Sequence, residues 1–571
     1  MICSLLFHIL NIQKTRKTAV CLFLLTLAAA VSVFCVSAPA VSAEKETRSP
    51  SIDSVNLREN QWVYSVYTDK NNMQYAAITR YDGKETDIEL PAEIGGFPVK
   101  VISREAFCNS RYITTVVIPE NVSEIGKYAF SGCIGLSSVT FPSSLRNVRE
   151  GAFYGCRSLN EAGFSKGLTK IGSFAFYGCI HLKTAVFPST LRGIGDSSFE
   201  GCGMLENVSF GNRLEKVGDN AFLGCRSIES VELPGIKELG AGAFMKCASL
   251  KNAALQNGIS EIRPDTFRKC TELEKVELGN GVNKIDVSAF EGCSLLRDFP
   301  ELDSLNEIAS VAFKDCSSLK TVRIGKSVGN IGVGAFSGCT SLSRFIVSEE
   351  NESYSEMNGC LYSKDGTRLI LCPPGIKGTL KLADGVSEIG DYAAVGCTGL
   401  SKAELNEGLG IVGQGAFLGC TDIVSFSLPD SLEKIGSAAA GVYLSDGTIR
   451  KASYVRFFAS EGSAAEKYCT DRELTVSRYD SSLCVSSERV VLCEGKTFTL
   501  TCGFASQRKG DVSWSSADES VVRVSDGKLT AVAEGGTEVT AAADGFEPWV
   551  TKVIVVSPDD IGTSKEKKFD G

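Results

Sequence analysis

Histidine is almost missing from this chain of 571 residues: only His8 and His181 occur. Catalysis or metal binding built on imidazole therefore has little to work with. Cys-x-x-Cys spacing, the common mark of a zinc site, does not occur in the repeated region described below. Basic residues are in deficit, with 59 Lys and Arg against 68 Asp and Glu, for a net charge of −9. A nucleic-acid or anionic-membrane binder needs a basic face, so the balance argues against those partners. Proline is sparse, 15 against 57 glycines, which implies many tight turns. No sorting motif or hydrophobic tail marks the carboxy terminus, so covalent attachment to a cell wall is not expected.

Cysteine, by contrast, is abundant. Twelve of the 22 cysteines share one place in a repeat, from Cys133 through Cys339 and then at Cys397 and Cys420. Ala129-Phe130-Ser131-Gly132-Cys133 returns as Ala152-Phe153-Tyr154-Gly155-Cys156 and as Ala175-Phe176-Tyr177-Gly178-Cys179, 23 residues apart each time. A fixed period of this size marks a solenoid. Between the cysteines, apolar residues fall at Leu136, Val139, Phe141, Leu145, Val148 and Phe153, and the neighbouring units repeat that spacing. Val-x-Phe is a short strand with one inward face, which Pro142 ends. Leu-x-x-Val is a second extended segment, and Ala-Phe-x-Gly-Cys is a short helical or 3₁₀ turn that drops Phe and Cys inside. Stacking pairs the strands of successive coils in parallel. The expected core ladder is then Phe130, Phe153, Phe176, Phe199 and Phe222 beside Cys133, Cys156, Cys179, Cys202 and Cys225, with the thiols reduced.

Along the chain, residues 1–43 read as a signal peptide. Lys14, Arg16 and Lys17 precede the apolar run Thr18 to Val36, and Val41-Ser42-Ala43 suits cleavage. The run is long enough that an uncleaved segment anchoring the N-terminus in a membrane is the rival reading. Cleavage takes the net charge from −9 to −12, since 1–43 holds three bases and no acid. Residues 44–98 form a polar lead-in, to about residue 60, and a β cap in which Asp82-Gly83 turns a hairpin between Tyr75–Tyr81 and Asp87–Leu90. The solenoid spans 99–476, with about 14 coils. It carries a hairpin insertion at 349–382, turned at Lys364-Asp365-Gly366, and a closing helix at 460–470. The unit from Cys225 to Cys247 is one residue short, and Glu301 stands in an inward slot. Seven short alternating segments then fill 483–556 as an all-β Ig-like sandwich, and 557–571 is a polar tail. Cys360 and Cys372 flank the insertion's turn almost symmetrically, which permits a cross-strand disulfide. Pairing among Cys360, Cys372, Cys469, Cys484, Cys493 and Cys502 stays open.

The unit Leu-x-x-Val-x-Phe/Leu-Pro-x-x-Leu-x-x-Ile-Gly-x-x-Ala-Phe-x-Gly-Cys resembles the BspA-type leucine-rich repeat of bacterial surface proteins. The likeness runs from about Tyr75 to Val476. Val512-Ser-Trp514-Ser-Ser516, Val521-Val-Arg-Val524 and Gly527-Lys-Leu-Thr-Ala-Val-Ala533 resemble a group 2 bacterial Ig-like domain. The resemblance implies a secreted or surface-displayed bacterial protein with an adhesive role.

Chemistry finds little purchase in the residues themselves. His181 falls in a slot held elsewhere by Gly135, Ser158 and Ser249, so it is expected to be exposed, and Cys179 beside it is expected to be structural. Carboxylate pairs are the remaining route to an enzyme, but the acids scatter over variable positions. No cofactor or metal is expected. The outward slot of the main strand varies from coil to coil, and its charged members Glu232, Glu277, Arg323 and Glu404 form the candidate ligand face. The expected function is non-enzymatic binding of an extracellular protein or glycan. An accessory protein to a secreted polysaccharide- or peptide-acting enzyme and a structural envelope component are the alternatives.

Overall fold

The computed structural model describes residues 51–557 other than 257, 438, 444–448, 451–454, 472–473, 475, 478–482, 488, 505–510, 545 and 547. The expected signal segment 1–43 and all but the first residue of the polar tail lie outside the described residues. Among those described, no helix is long and apolar enough to cross a membrane.

Each coil has three sides. In the coil after Cys133, Ser138–Thr140 is the first strand and Asn147–Val148 the second. The 23-residue period places like residues opposite one another in the next coil. Thus Val148 pairs with Ile171, and Ala162 with Ala185, in parallel register. Alternation turns one side chain of each strand inward, so Val139 and Val148 are buried. The third side is a run of turns. Ser131 N–H and Cys133 N–H close i→i−3 bonds to the Tyr128 and Phe130 carbonyls, at 3.1 and 3.2 Å. Alternate amides reach the next coil instead: Phe130 N–H to the Ala152 carbonyl and Gly132 N–H to the Tyr154 carbonyl, both 2.7 Å. The expected 3₁₀-type bonds are therefore present, but no helix propagates. Tyr128 at φ 54° and Gly132 at φ 71° reverse the winding at each end of the turn.

This third side stacks the aromatic column. From Phe107 to Phe336, successive rings lie 4.7–5.8 Å apart and within 12° of parallel. Phe141, Phe164, Phe187 and Phe210 form a shorter column that meets it edge-on. Burying each Phe contributes about 1.5–3 kcal/mol, and offset or edge-on contact adds to that. Each column thiol from Cys133 to Cys339 is buried, and each S–H donates to the Phe carbonyl one coil back.

The second-strand column has sixteen rungs, two more than the coils counted from the repeat. One addition is the cap strand Gln74–Tyr81, which pairs in parallel with Phe97–Ile102. Tyr81 takes the Phe place there, its N–H bonded to the Ala106 carbonyl and its ring 5.7 Å from Phe107. The other is Arg368–Leu371 of the insertion, parallel to Glu388–Ile389.

Three local expectations need correction. Asp82-Gly83 does not turn a hairpin: Asp87–Glu89 leaves the sheet of Gln74–Tyr81 and pairs in parallel with Thr115–Val117. A coil must round a corner to reach its other sheet, and this is that corner. Residues 51–59, read as lead-in, form a strand, Ser51–Glu59, exposed throughout and next to Trp62–Thr68 at the sheet edge. At the turn after that strand pair, the Asp69 carboxylate accepts the Asn71 and Met73 N–H groups at 2.9 and 3.0 Å. The insertion, third, holds two hairpins. Besides the turn at Lys364–Gly366, Asn358-Gly359 joins Tyr354–Met357 to Cys360–Ser363 with positive φ at both residues, the usual two-residue hairpin chemistry. Asn351 anchors the insertion while wholly buried. Its amide donates to the Gly325 and Val328 carbonyls, and its oxygen accepts the Ser353 and Tyr354 N–H groups.

The irregular coils are absorbed locally. Glu301 points outward while Leu302 is buried and Phe299 packs edge-on against Phe290 and Phe313. In the short coil, Ile236 stays buried and Val217 pairs with Leu239, 22 residues on. The closing helix is Ala464–Asp471, capped by Ser463 Oγ accepting the Glu466 N–H at 3.1 Å.

Behind it, two larger sheets and a two-stranded pair enclose Leu500, Val522, Leu529, Val539, Val553 and Val555. Arg489–Cys493 runs parallel to the last strand, Trp549–Val556. Leu500 is buried between Thr497–Thr499 and Cys502–Phe504, which pair in different sheets.

Candidate functional site

Inward positions repeat from coil to coil, so recognition falls to the outward ones. The main strands present these on a polar face. Glu232 lies opposite Ala254, and Ala254 opposite Glu277, in one three-stranded sheet. Both glutamates are exposed, two rungs apart, and Glu277 is ion-paired with Lys275. Arg323 is exposed in a separate two-stranded sheet, opposite Ile346. Glu404 sits beyond the insertion, half-buried, opposite Lys381 and 3.2 Å from Lys402. The four residues thus belong to three sheets, and only Glu232 and Glu277 share one.

Both faces open around the short coil. The main-strand column breaks between Asn207–Ser209 and Ser230–Leu233, leaving a groove of about 480 Å³ lined by Val186, Asn207, Ser209, Glu229 and Ser230. The second-strand column breaks one coil later, between Glu238–Leu239 and Glu261–Ile262. Lys216, Asp219, Lys237, Glu238, Glu261 and Arg263 line about 460 Å³ there.

Charges on these faces are paired from coil to coil: Arg149 with Glu124 (2.6 Å), Lys216 with Glu238 (2.6 Å), Lys237 with Glu215 (3.1 Å) and Arg263 with Asp219 (3.0 Å). Exposed pairs of this kind add only about 0–1 kcal/mol each, so their effect is on surface potential. The hydrogen bond from Lys237 holds the Glu215 carboxyl below the usual range, and Lys127 does the same for Glu150. These groups are ionised at neutral pH and suited to pairing with a ligand's cations or donors.

His181 is exposed, with Nδ1 2.7 Å from the Arg157 carbonyl. The Cys179 thiol nearby donates to the Phe153 carbonyl, which gives it a place in the core.

A further surface lies outside the strand slots that carry the candidate ligand face. On the turn side, the Tyr154 and Tyr177 rings stack at 4.9 Å and 3°, and Phe174 lies 6.0 Å from Tyr177. Tyr154 and Phe174 are exposed. Tyr128 stands one coil before Tyr154, its hydroxyl donating to Glu150 at 2.9 Å. The repeated Phe-Tyr-Gly-Cys at 153–156 and 176–179 was the available signal.

Comparison with known proteins accords with this architecture. The pattern of the BspA type leucine rich repeat region matches in overlapping copies over residues 100–229, 193–305, 262–363 and 377–444, more than half of the chain. The bacterial Ig-like domain (group 2) matches residues 481–553. No curated protein matches. Among solved structures, the T. pallidum leucine rich repeat protein is 31% identical over 34% of this chain and 90% of its own, with a TM-score of 0.32. A leucine-rich repeat protein from Bacteroides ovatus is 21% identical over 74% of this chain and 99% of its own, with a TM-score of 0.46. A leucine rich cell surface protein from Faecalibacterium prausnitzii is 20% identical over 75% and 95%, with a TM-score of 0.31. The extent of the repeat match decides the assignment: the chain belongs to the BspA-type leucine-rich repeat family and carries a group 2 bacterial Ig-like domain behind its repeats.

Proposed function

We propose that this is an exported, non-enzymatic binding protein that engages an extracellular protein or glycan through the main-strand face around Glu232 and Glu277. Repeats and Ig-like modules of these two families are typical of bacterial cell-surface proteins and are typically non-enzymatic binding domains. The observation that carries the reading is the exposed pair Glu232 and Glu277 on one sheet, with Glu232 on the strand whose Ser230 lines the groove and Glu277 two coils further on. Ionised carboxylates on a fixed backbone steer a complementary ligand and set its register, and a groove beside them supplies area.

The test is binding of the exported chain to a panel of matrix proteins, cell surfaces and glycans, with the double variant Glu232→Lys/Glu277→Lys alongside. The expected result is a ligand whose affinity falls at least tenfold in the double variant. Binding to nothing on the panel counts against the reading. Turnover of a polysaccharide or peptide that is lost with a single carboxylate replaces it with an enzyme.

A further inference from the structure

The aromatic column stops at Phe336, and the chain departs from the repeat at the same point. In the insertion, Cys372 takes the column's place. Its N–H donates to the Ala393 carbonyl, as Phe130 N–H donates to the Ala152 carbonyl in a regular coil. The apolar core divides here as well. Phe345, Tyr354 and Leu361 pack with the coils before, whereas Cys360, Tyr362, Leu369 and Cys372 pack with those after. Cys360 and Cys372 face each other across antiparallel strands, next to the pair Leu361 and Leu371. Neither is exposed, and the Cys360 thiol is directed at the Cys372 sulfur at 3.6 Å. The column thiols are placed differently, each directed at a Phe carbonyl 3.1–3.2 Å away on the preceding coil.

We propose that Cys360 and Cys372 are a covalent modification site, oxidised to a disulfide by exchange with an oxidising protein or small-molecule disulfide. The Cys360 thiolate, having released its proton, attacks one sulfur of that oxidant and displaces the other as a thiolate. The Cys372 thiolate then attacks the Cys360 sulfur and displaces the second oxidant thiolate. Two S–H bonds give way to one S–S bond, and the oxidant's disulfide is reduced to two thiol groups that carry both electrons and both protons. The sulfurs need close only from 3.6 Å to about 2.05 Å. In the packed coil the hydrogen bond shared between the two thiols, and burial after it, hold the Cys372 thiol well above its usual pKa. Exchange therefore precedes packing of the hairpin. The product is a cross-link at the coil where the run of stacked rings ends and the core changes partners.

In the cell the step rests on the export proposed above. The test supplies the oxidant directly, so failure of either reading is seen separately. The full chain is refolded from denaturant in reduced and oxidised glutathione, its remaining thiols are alkylated in denaturant, and it is cut with trypsin. Cys360 falls in peptide 345–364 and Cys372 in peptide 369–377, with 365–368 between them. The expected result is one linked species of these two peptides that reduction splits, with the peptides bearing Cys133 to Cys339 fully alkylated. Alkylated Cys360 and Cys372 without reduction, or either residue linked elsewhere, overturns the proposal. A reductant should also lower the melting temperature of the refolded chain and leave Cys360→Ala/Cys372→Ala unmoved; equal shifts in both overturn the stapling role.

Discussion

The Cys156 thiol donates to the Phe130 carbonyl, one coil back, at 3.1 Å. That carbonyl also accepts the Cys133 N–H of its own coil at 3.2 Å, so both of its lone pairs are used. The repeat thus needs a small apolar side chain that can still donate, and cysteine meets both demands at less desolvation cost than serine.

The Cys225 thiol makes the same bond to the Phe199 carbonyl at 3.1 Å. Cys225→Ala should cost about 1–3 kcal/mol, from the lost donor and the small void. Urea denaturation followed by circular dichroism measures it. A loss below about 0.5 kcal/mol, under the net worth of an ordinary hydrogen bond, would show that the S–H is unimportant.

Phe222 lies between Phe199 at 5.3 Å and Phe244 at 5.4 Å, with Phe210 edge-on at 5.6 Å. Phe222→Ala should destabilise by about 3–5 kcal/mol, because three aromatic neighbours cannot collapse into the space. The same denaturation experiment reads it, and a loss below about 1 kcal/mol would contradict the burial.

Gly224 has φ +74° and open space where a Cβ would sit, whereas Lys246 holds the same slot at φ +61°. Gly224→Ala should cost about 1–2 kcal/mol from backbone strain alone, and Lys246→Gly should gain up to about 1 kcal/mol. Opposite signs in thermal unfolding are the check.

Burial pushes the Cys202 thiol up to about 12 and raises Cys179 and Cys225 well above the ordinary value. In the unfolded chain these thiols titrate near pH 8.5. A raised folded value means that stability is intact below that pH and falls as pH climbs from there, by about 1.4 kcal/mol per unit for each buried thiol. Urea midpoints should be flat up to about pH 8.5 and drop steeply above it; a flat profile through about pH 10.5 would refute the buried column.

Much of the fold is legible in the sequence because a solenoid repeats one local solution. Phe130, Cys133, Val148 and their successors each recur at a fixed step, so one inward assignment settles all of them. What the period does not cover was harder. Asp82-Gly83 carries a hairpin signal, yet the strands on either side belong to different sheets, and only coil closure separates them. Tyr154 and Phe174 vary from unit to unit, and nothing in a varying column says whether its members meet. Glu232 and Glu277 share a sheet for a reason invisible in the chain: the main-strand column happens to break before Ser230 and not between them.

By itself, the sequence determined the repeat, its inward residues and the presence of a second all-β module, since periodic burial follows from side-chain chemistry at a fixed spacing. Tertiary structure alone decided the rest. It placed Cys360 opposite Cys372, filled the column with Tyr81 at one end, opened two grooves beside the short coil and stacked Tyr154 on Tyr177. Each of these depends on how one coil lands on the next, and that contact is set by packing between residues far apart in the chain.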